Sequence, residues 1–208
     1  MITLIKREIT DMAVYLLASA VAAMGFACVL VLPVFDIRID IRFTIFWLVS
    51  LPLLSIAGAA GLGVSQMYFD RMRGVSTFLC THSVRKEHVF TARCIAGLVI
   101  ILVWFVPAFL TVKWTFAYHG PDIFPAEVMF YKISAVFFLG LLAAYSLGLS
   151  RGWTSSKIMP SLGTLALLLP LMTLVIIKGF CLEMMLLLAA LAAACLCRTW
   201  SVYKSSSL

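Results

Sequence analysis

The chain has 208 residues, 63% of them hydrophobic and only 12% charged, with a mean hydropathy of +1.10. A soluble domain carries about a quarter charged residues and about half apolar ones, so this composition excludes a water-soluble globule and predicts an integral membrane protein. The formal net charge of +7 does not point to nucleic acid, because the basic residues sit in short stretches between apolar runs, where they set topology and meet lipid headgroups.

The expected fold is all-α, a single transmembrane domain over residues 1–208 with six spans. Residues 1–12 place Ile2, Ile5, Ile9 and Met12 at helical spacing, with Lys6, Arg7, Glu8 and Asp11 between them. That one-sided pattern predicts an amphipathic helix along the cytoplasmic interface. The basic start and the apolar run behind it resemble a signal peptide. The run continues to Val34, however, and Glu8 and Asp11 intrude before it, so a retained first span is expected over 13–34. Asp36 to Arg42 alternate charge with isoleucine, and the signs nearly cancel, as suits an outer loop.

A second span is expected over 43–68, with Ser50, Pro52 and Ser55 in its outer half. Ala57 with Gly61 and Ala59 with Gly63 put small residues four apart, which lets a neighbouring helix approach closely. The third span, 94–116, is interrupted by Pro107 and closed by the interfacial anchors Lys113 and Trp114. The fourth is expected over 129–149. The fifth, 158–177, carries Pro160 and Pro170. A turn of four residues, Lys178 to Cys181, leads to the sixth span, 182–197. In this arrangement five of the 16 Lys and Arg residues (Arg38, Arg42, Lys113, Lys132 and Lys178) fall outside and the other 11 inside. The bias predicts both termini in the cytoplasm and a multi-pass protein of the cell inner (plasma) membrane.

Chemistry-bearing motifs are sparse. The chain contains no GxxxxGK[ST] phosphate loop, no HExxH and no GxSxG. Its six cysteines form no CxxC; Cys28, Cys94, Cys181, Cys195 and Cys197 lie within or at the ends of apolar runs and Cys80 in the longest polar interval, and they read as small buried apolar residues. No acidic residue falls at the centre of a span, which argues against proton-coupled transport. No catalytic residue, metal or cofactor is expected in the chain itself.

The longest polar interval, residues 70–93, reads DRMRGVSTFLCTHSVRKEHVFTAR. Its basic excess puts it on the cytoplasmic side. Val75, Phe78 and Leu79 form a short apolar stripe that needs a surface to cover it, and a second helical run starts near Val84. Asp70-Arg71-Met72-Arg73-Gly74, then Phe78-Leu79, then Ser83-Val84-Arg85-Lys86, resemble the cytoplasmic connector of ABC-2 type transporter permeases. Ser83 stands where that family usually has proline, Val75 where threonine is common, and Met72 where a second acid is common. The family's sizeable re-entrant element between spans five and six has no counterpart in the four-residue turn.

The resemblance implies a permease subunit of an exporter, with Gly74 to Cys80 as a coupling helix. Asp70, Arg71, Arg73, Gly74, Val75, Phe78, Leu79, Arg85 and Lys86 would contact a separate cytoplasmic ATPase subunit, which would hold the ATP and Mg. It also implies a second permease subunit, identical or not, and a substrate path along spans two and five near Ser50, Pro52, Ser55, Pro160 and Pro170. The even apolarity of the spans fits a hydrophobic or amphipathic substrate. A haem-exporter permease is a subgroup alternative. A non-catalytic membrane scaffold or assembly factor and an integral membrane lipid-modifying enzyme are the readings from other classes.

Overall fold

A computed structural model describes residues 2–31, 41–73, 85–119, 127–154 and 180–205. Among these there are six helices and no strand: α1 (Ile2–Asp11), α2 (Ala13–Val31), α3 (Ile41–Arg73), α4 (Lys86–His119), α5 (Glu127–Thr154) and α6 (Leu182–Ser205). Three segments, Lys86–Thr115, Val128–Gly152 and Leu182–Ser205, are long and apolar enough to cross a membrane. A shorter apolar helix covers Ala13–Cys28. The expected fifth span, residues 158–177, lies outside the described residues.

The helices begin and end where backbone chemistry asks them to. The Arg85 carbonyl accepts from His88 N at 3.0 Å and opens α4, and Glu87 follows in the first turn. The Cys181 carbonyl accepts from Met184 N at 3.1 Å and opens α6, whose first turn holds Glu183 and whose last holds Lys204. Acids at helix starts and bases at helix ends both complement the helix dipole. Pro52 and Pro107 sit inside α3 and α4 without ending either helix. Past Pro107, Thr111 donates its hydroxyl to the Pro107 carbonyl at 2.8 Å, and Thr115 donates to Thr111 at 2.9 Å, so these polar side chains are satisfied within their own helix.

Contacts fix the helix directions. The α4/α5 pair is antiparallel: Arg93 lies at Tyr145, Trp104 at Phe137 and Phe109 at Phe130. The α3/α5 pair is parallel, since a Cβ on Gly148 would strike the Ala60 carbonyl and one on Gly152 the Val64 carbonyl at 2.6 Å. The α1–α2 arm runs with α4, because Glu8 meets Arg93 at one end and Phe26 meets Trp104 further along. The C-terminal end of α6 returns to the N-terminal end of α4, where Phe90 packs on Trp200 and Tyr203. Met184, Leu188 and Ala192 of α6 bury against Val136 and Ala143 of α5. The bundle thus has two sets, with α1, α2 and α4 running one way and α3, α5 and α6 the other.

The most extensive contact is between α3 and α5. The glycines there explain why. Gly63 lies against the backbone of Tyr145 and Leu149, and Gly148 and Gly152 against that of Ala60 and Val64, so the two helices touch main chain to main chain. The pairing of Ala59 with Gly63 at four-residue spacing foretells this seam. Gly58 and Gly61 face no neighbour within 4 Å. On the outside of the bundle, Val14, Leu17, Val21 and Met24 recur every three or four residues along α2, each more than half exposed. Apolar side chains on an outer face are what a hydrocarbon solvent accepts.

Candidate functional site

Two features gather at the end of the bundle where α3 finishes and α4 starts. The first is the pair of connector roots. At 1.5 Å per residue, α3 with 33 residues and α4 with 34 are each about 50 Å long, against about 30 Å of bilayer hydrocarbon. The α3 helix continues unbroken through Asp70, Arg71 and Arg73. Arg85 is exposed and Lys86 half-buried at the start of α4. Gly74, Val75, Phe78 and Leu79 of the expected coupling segment lie outside the described residues. So do Pro160 and Pro170 of the expected path. Ser50, Pro52 and Ser55 sit on α3, and the Ser50 hydroxyl is buried with no hydrogen-bond partner among the described residues.

The second feature is a polar junction inside the bundle. Arg93 is 1% exposed, two turns into α4, on the face that also buries Val89, Ala92 and Ala96. Its Nε donates to Glu8 Oε1 at 3.3 Å, an ion pair between α4 and α1. Its carbonyl accepts from the Tyr145 hydroxyl of α5 at 3.1 Å. The same hydroxyl lies 2.7 Å from Gln66 Oε1 of α3, and Gln66 is 2% exposed. Arg93 therefore joins α1 through its side chain and α5 through its backbone, and Tyr145 extends the link to α3.

Local sequence makes the junction. Within α4 the Arg93 carbonyl points along the helix towards Gly97. A Cβ at Gly97 would run into the Tyr145 ring and hydroxyl, so glycine there is what admits Tyr145. Tyr145 has one proton for two acceptors. With the Gln66 amide turned to face it through nitrogen, Gln66 Nε2 donates to Tyr145 and Tyr145 donates to Arg93. That order also uses the buried Gln66 Nε2, which otherwise has no partner among the described residues.

Sequence reasoning placed Arg93 with the solvated inner-side cations and gave Gln66 no role. The structure buries both. The readable trace was small: a lone arginine directly against the apolar run from Cys94, and an acid, Glu8, on the amphipathic helix. Nothing in either spacing pairs residues 85 positions apart. The cysteines also differ from expectation, since Cys28, Cys181 and Cys197 are exposed on the bundle's exterior and Cys94 and Cys195 are half-buried. Among the described residues no three His, Cys, Asp or Glu side chains gather in a way that could hold a metal ion. The junction contains acid, base and hydroxyl, but each is engaged with another helix, so its chemistry is that of a fastener between elements.

Among the described residues the protein is all-helical, with three helices long and apolar enough to cross a bilayer. No family model, no curated protein and no solved structure matches the chain.

Proposed function

We propose that this chain is the permease subunit of an ATP-binding-cassette transporter, an exporter of a hydrophobic or amphipathic substrate worked by a separate cytoplasmic ATPase. The observation that carries the reading is the continuity of α3 and α4 beyond the hydrocarbon, with Asp70, Arg71 and Arg73 at one root and Arg85 and Lys86 at the other. Two rigid rods that share a connector transmit a push; two rods ending at the headgroups would not. The apolar stripe of Val75, Phe78 and Leu79 and the cations around it suit an apolar groove with acidic groups on a partner.

Helix direction supports the six-span topology. The α5 and α6 helices run the same way, and a chain that enters two helices in one direction returns in between to the side it left. Six crossings place both termini on the connector's side, in the cytoplasm of the inner membrane. A second permease subunit completes the transporter.

The test is charge reversal. Arg73→Glu with Arg85→Glu should abolish co-purification of an ATP-binding-cassette ATPase with the full chain while leaving its membrane insertion unchanged. Undiminished co-purification of the ATPase would overturn the assignment of these residues, and co-purification without any ATP-dependent flux would favour a scaffold.

A further inference from the structure

We infer that the bundle binds a neutral, flat, membrane-soluble molecule in the seam between its two helix sets, with Trp104 donating a hydrogen bond to a carbonyl oxygen of that molecule. The inference rests on contacts within this chain and stands whether or not an ATPase works it. Three observations carry it.

First, the seam is built differently from the rest of the bundle. Within each set the helices pack extensively, α2 on α4 in one and α3 and α6 on α5 in the other, whereas contacts between the sets are sparse. Between α3 and α5 backbone meets backbone. Between α4 and α5 rings do the joining. Trp104 lies 5.2 Å from Phe137, Phe105 5.0 Å from Phe138 and Phe109 5.1 Å from Phe130, centroid to centroid. A ring can turn about its side-chain torsions, where a main-chain contact has nothing to yield.

Second, Trp104 is 5% exposed and its indole Nε1 has no hydrogen-bond partner among the described residues. The rings beside it, Phe26 at 6.3 Å and Phe137, carry no acceptor atom. Tryptophan in a membrane protein favours the interface, where its N–H reaches water. Trp104 stands instead near the middle of the Lys86–Thr115 segment. A buried donor left unpaired is costly, so this position calls for an acceptor brought from outside the chain.

Third, the surroundings define that acceptor. The nearest charged residues along α4, Arg93 and Lys113, lie about 16 and 13 Å away along the helix axis, and α2 carries no charged residue. An ionic ligand would find no counter-charge on either helix there, so a neutral one fits. An indole N–H only donates, so the ligand must accept. The ring faces favour a flat, unsaturated body. Val106, Leu110 and Tyr131 leave the flank of the seam apolar and open to hydrocarbon, so the ligand enters from the bilayer. A quinone ring has this chemistry: flat, neutral, lipid-soluble and bearing carbonyl oxygens.

The test uses the full chain in lipid nanodiscs with its five tryptophans labelled with nitrogen-15 and the Trp104 indole resonance assigned through Trp104→Phe. Decylubiquinone is the probe, and dodecane, apolar but without an acceptor, is the control. Neither ATP nor a partner is present, so the outcome is separate from that of the ATPase test. Decylubiquinone should move the Trp104 indole proton downfield and saturably, while dodecane leaves it in place. Trp104→Phe keeps a ring and removes the donor. It should weaken saturable binding of the quinone, measured by partition against empty nanodiscs, by about tenfold. Equal, unsaturable shifts at all five indoles would mean partition into the bilayer alone and would overturn the site. So would a Trp104 resonance that stays at the high field of an N–H facing a phenyl ring throughout the titration, or an affinity unchanged in Trp104→Phe.

Discussion

Tyr145 shows how few atoms hold the two helix sets together at the end of the bundle where α3 finishes and α4 starts. It is 4% exposed, and its hydroxyl reaches α3 and α4 at once. Tyr145→Phe keeps the ring that Gly97 admits and removes only the oxygen. Two buried polar groups then lose their partner in a medium without water, at a cost of about 1–3 kcal/mol. The expected result is a lower thermal unfolding midpoint in detergent with no change in secondary structure. Equal midpoints would mean that the hydroxyl is not the link. Gln66→Leu in the Tyr145→Phe background should cost less than either change predicts alone, because both act on one hydrogen-bonded chain.

At the scale of elements, the glycines divide into those that carry a contact and those that do not. Gly63→Ala, Gly148→Ala or Gly152→Ala pushes a methyl group into the backbone of the facing helix, and nothing flexible can yield. Each should lower stability by about 1–3 kcal/mol, as overpacking does. Gly25→Ala and Gly58→Ala meet nothing within 4 Å and should be neutral or slightly stabilising, since alanine is the better helix former. Denaturant or heat titrations of the five variants side by side decide it. A uniform response across all five would contradict the α3/α5 seam.

Much of the element-level structure was legible. The apolar runs announced α2, α3, α4, α5 and α6, the spacing of Ile2, Ile5 and Ile9 announced α1, and the small residues of α3 announced a close neighbour. Helix ends were legible in part: the helical run expected from near Val84 opens at Lys86 and continues into the third span, whereas α6 continues to Ser205, past the span end expected at Cys197. Hydropathy marks where a helix leaves hydrocarbon, not where its hydrogen bonds stop. The expectation of an interfacial α1 did not extend to its packing on α4, because an amphipathic stripe names a buried face without naming what buries it. Arg93 was misread for a related reason. A charge at the edge of an apolar run looks the same whether water or a distant carboxylate satisfies it.

For the whole molecule, helix direction is the firmest guide. The α4 start, the α6 end and the α1 arm all meet at Phe90, Arg93 and their neighbours. Cysteines introduced at His88 and Lys204 should therefore react with a membrane-impermeant reagent from one side, and cysteines at Lys113 and Tyr131 from the other. His88 and Lys204 reacting from opposite sides would break the parity of the bundle and with it the proposed six-span topology. A body with these helices, a buried junction at the connector roots and no nucleotide-binding motif of its own fits a part that is worked from outside. The most direct measurement of that claim is ATP turnover in material purified from native membranes through a tag on this chain and placed in nanodiscs. The account predicts ATP hydrolysis by a bound partner in the wild type and its loss with Arg73→Glu and Arg85→Glu; no hydrolysis above background in the wild-type assembly would contradict it.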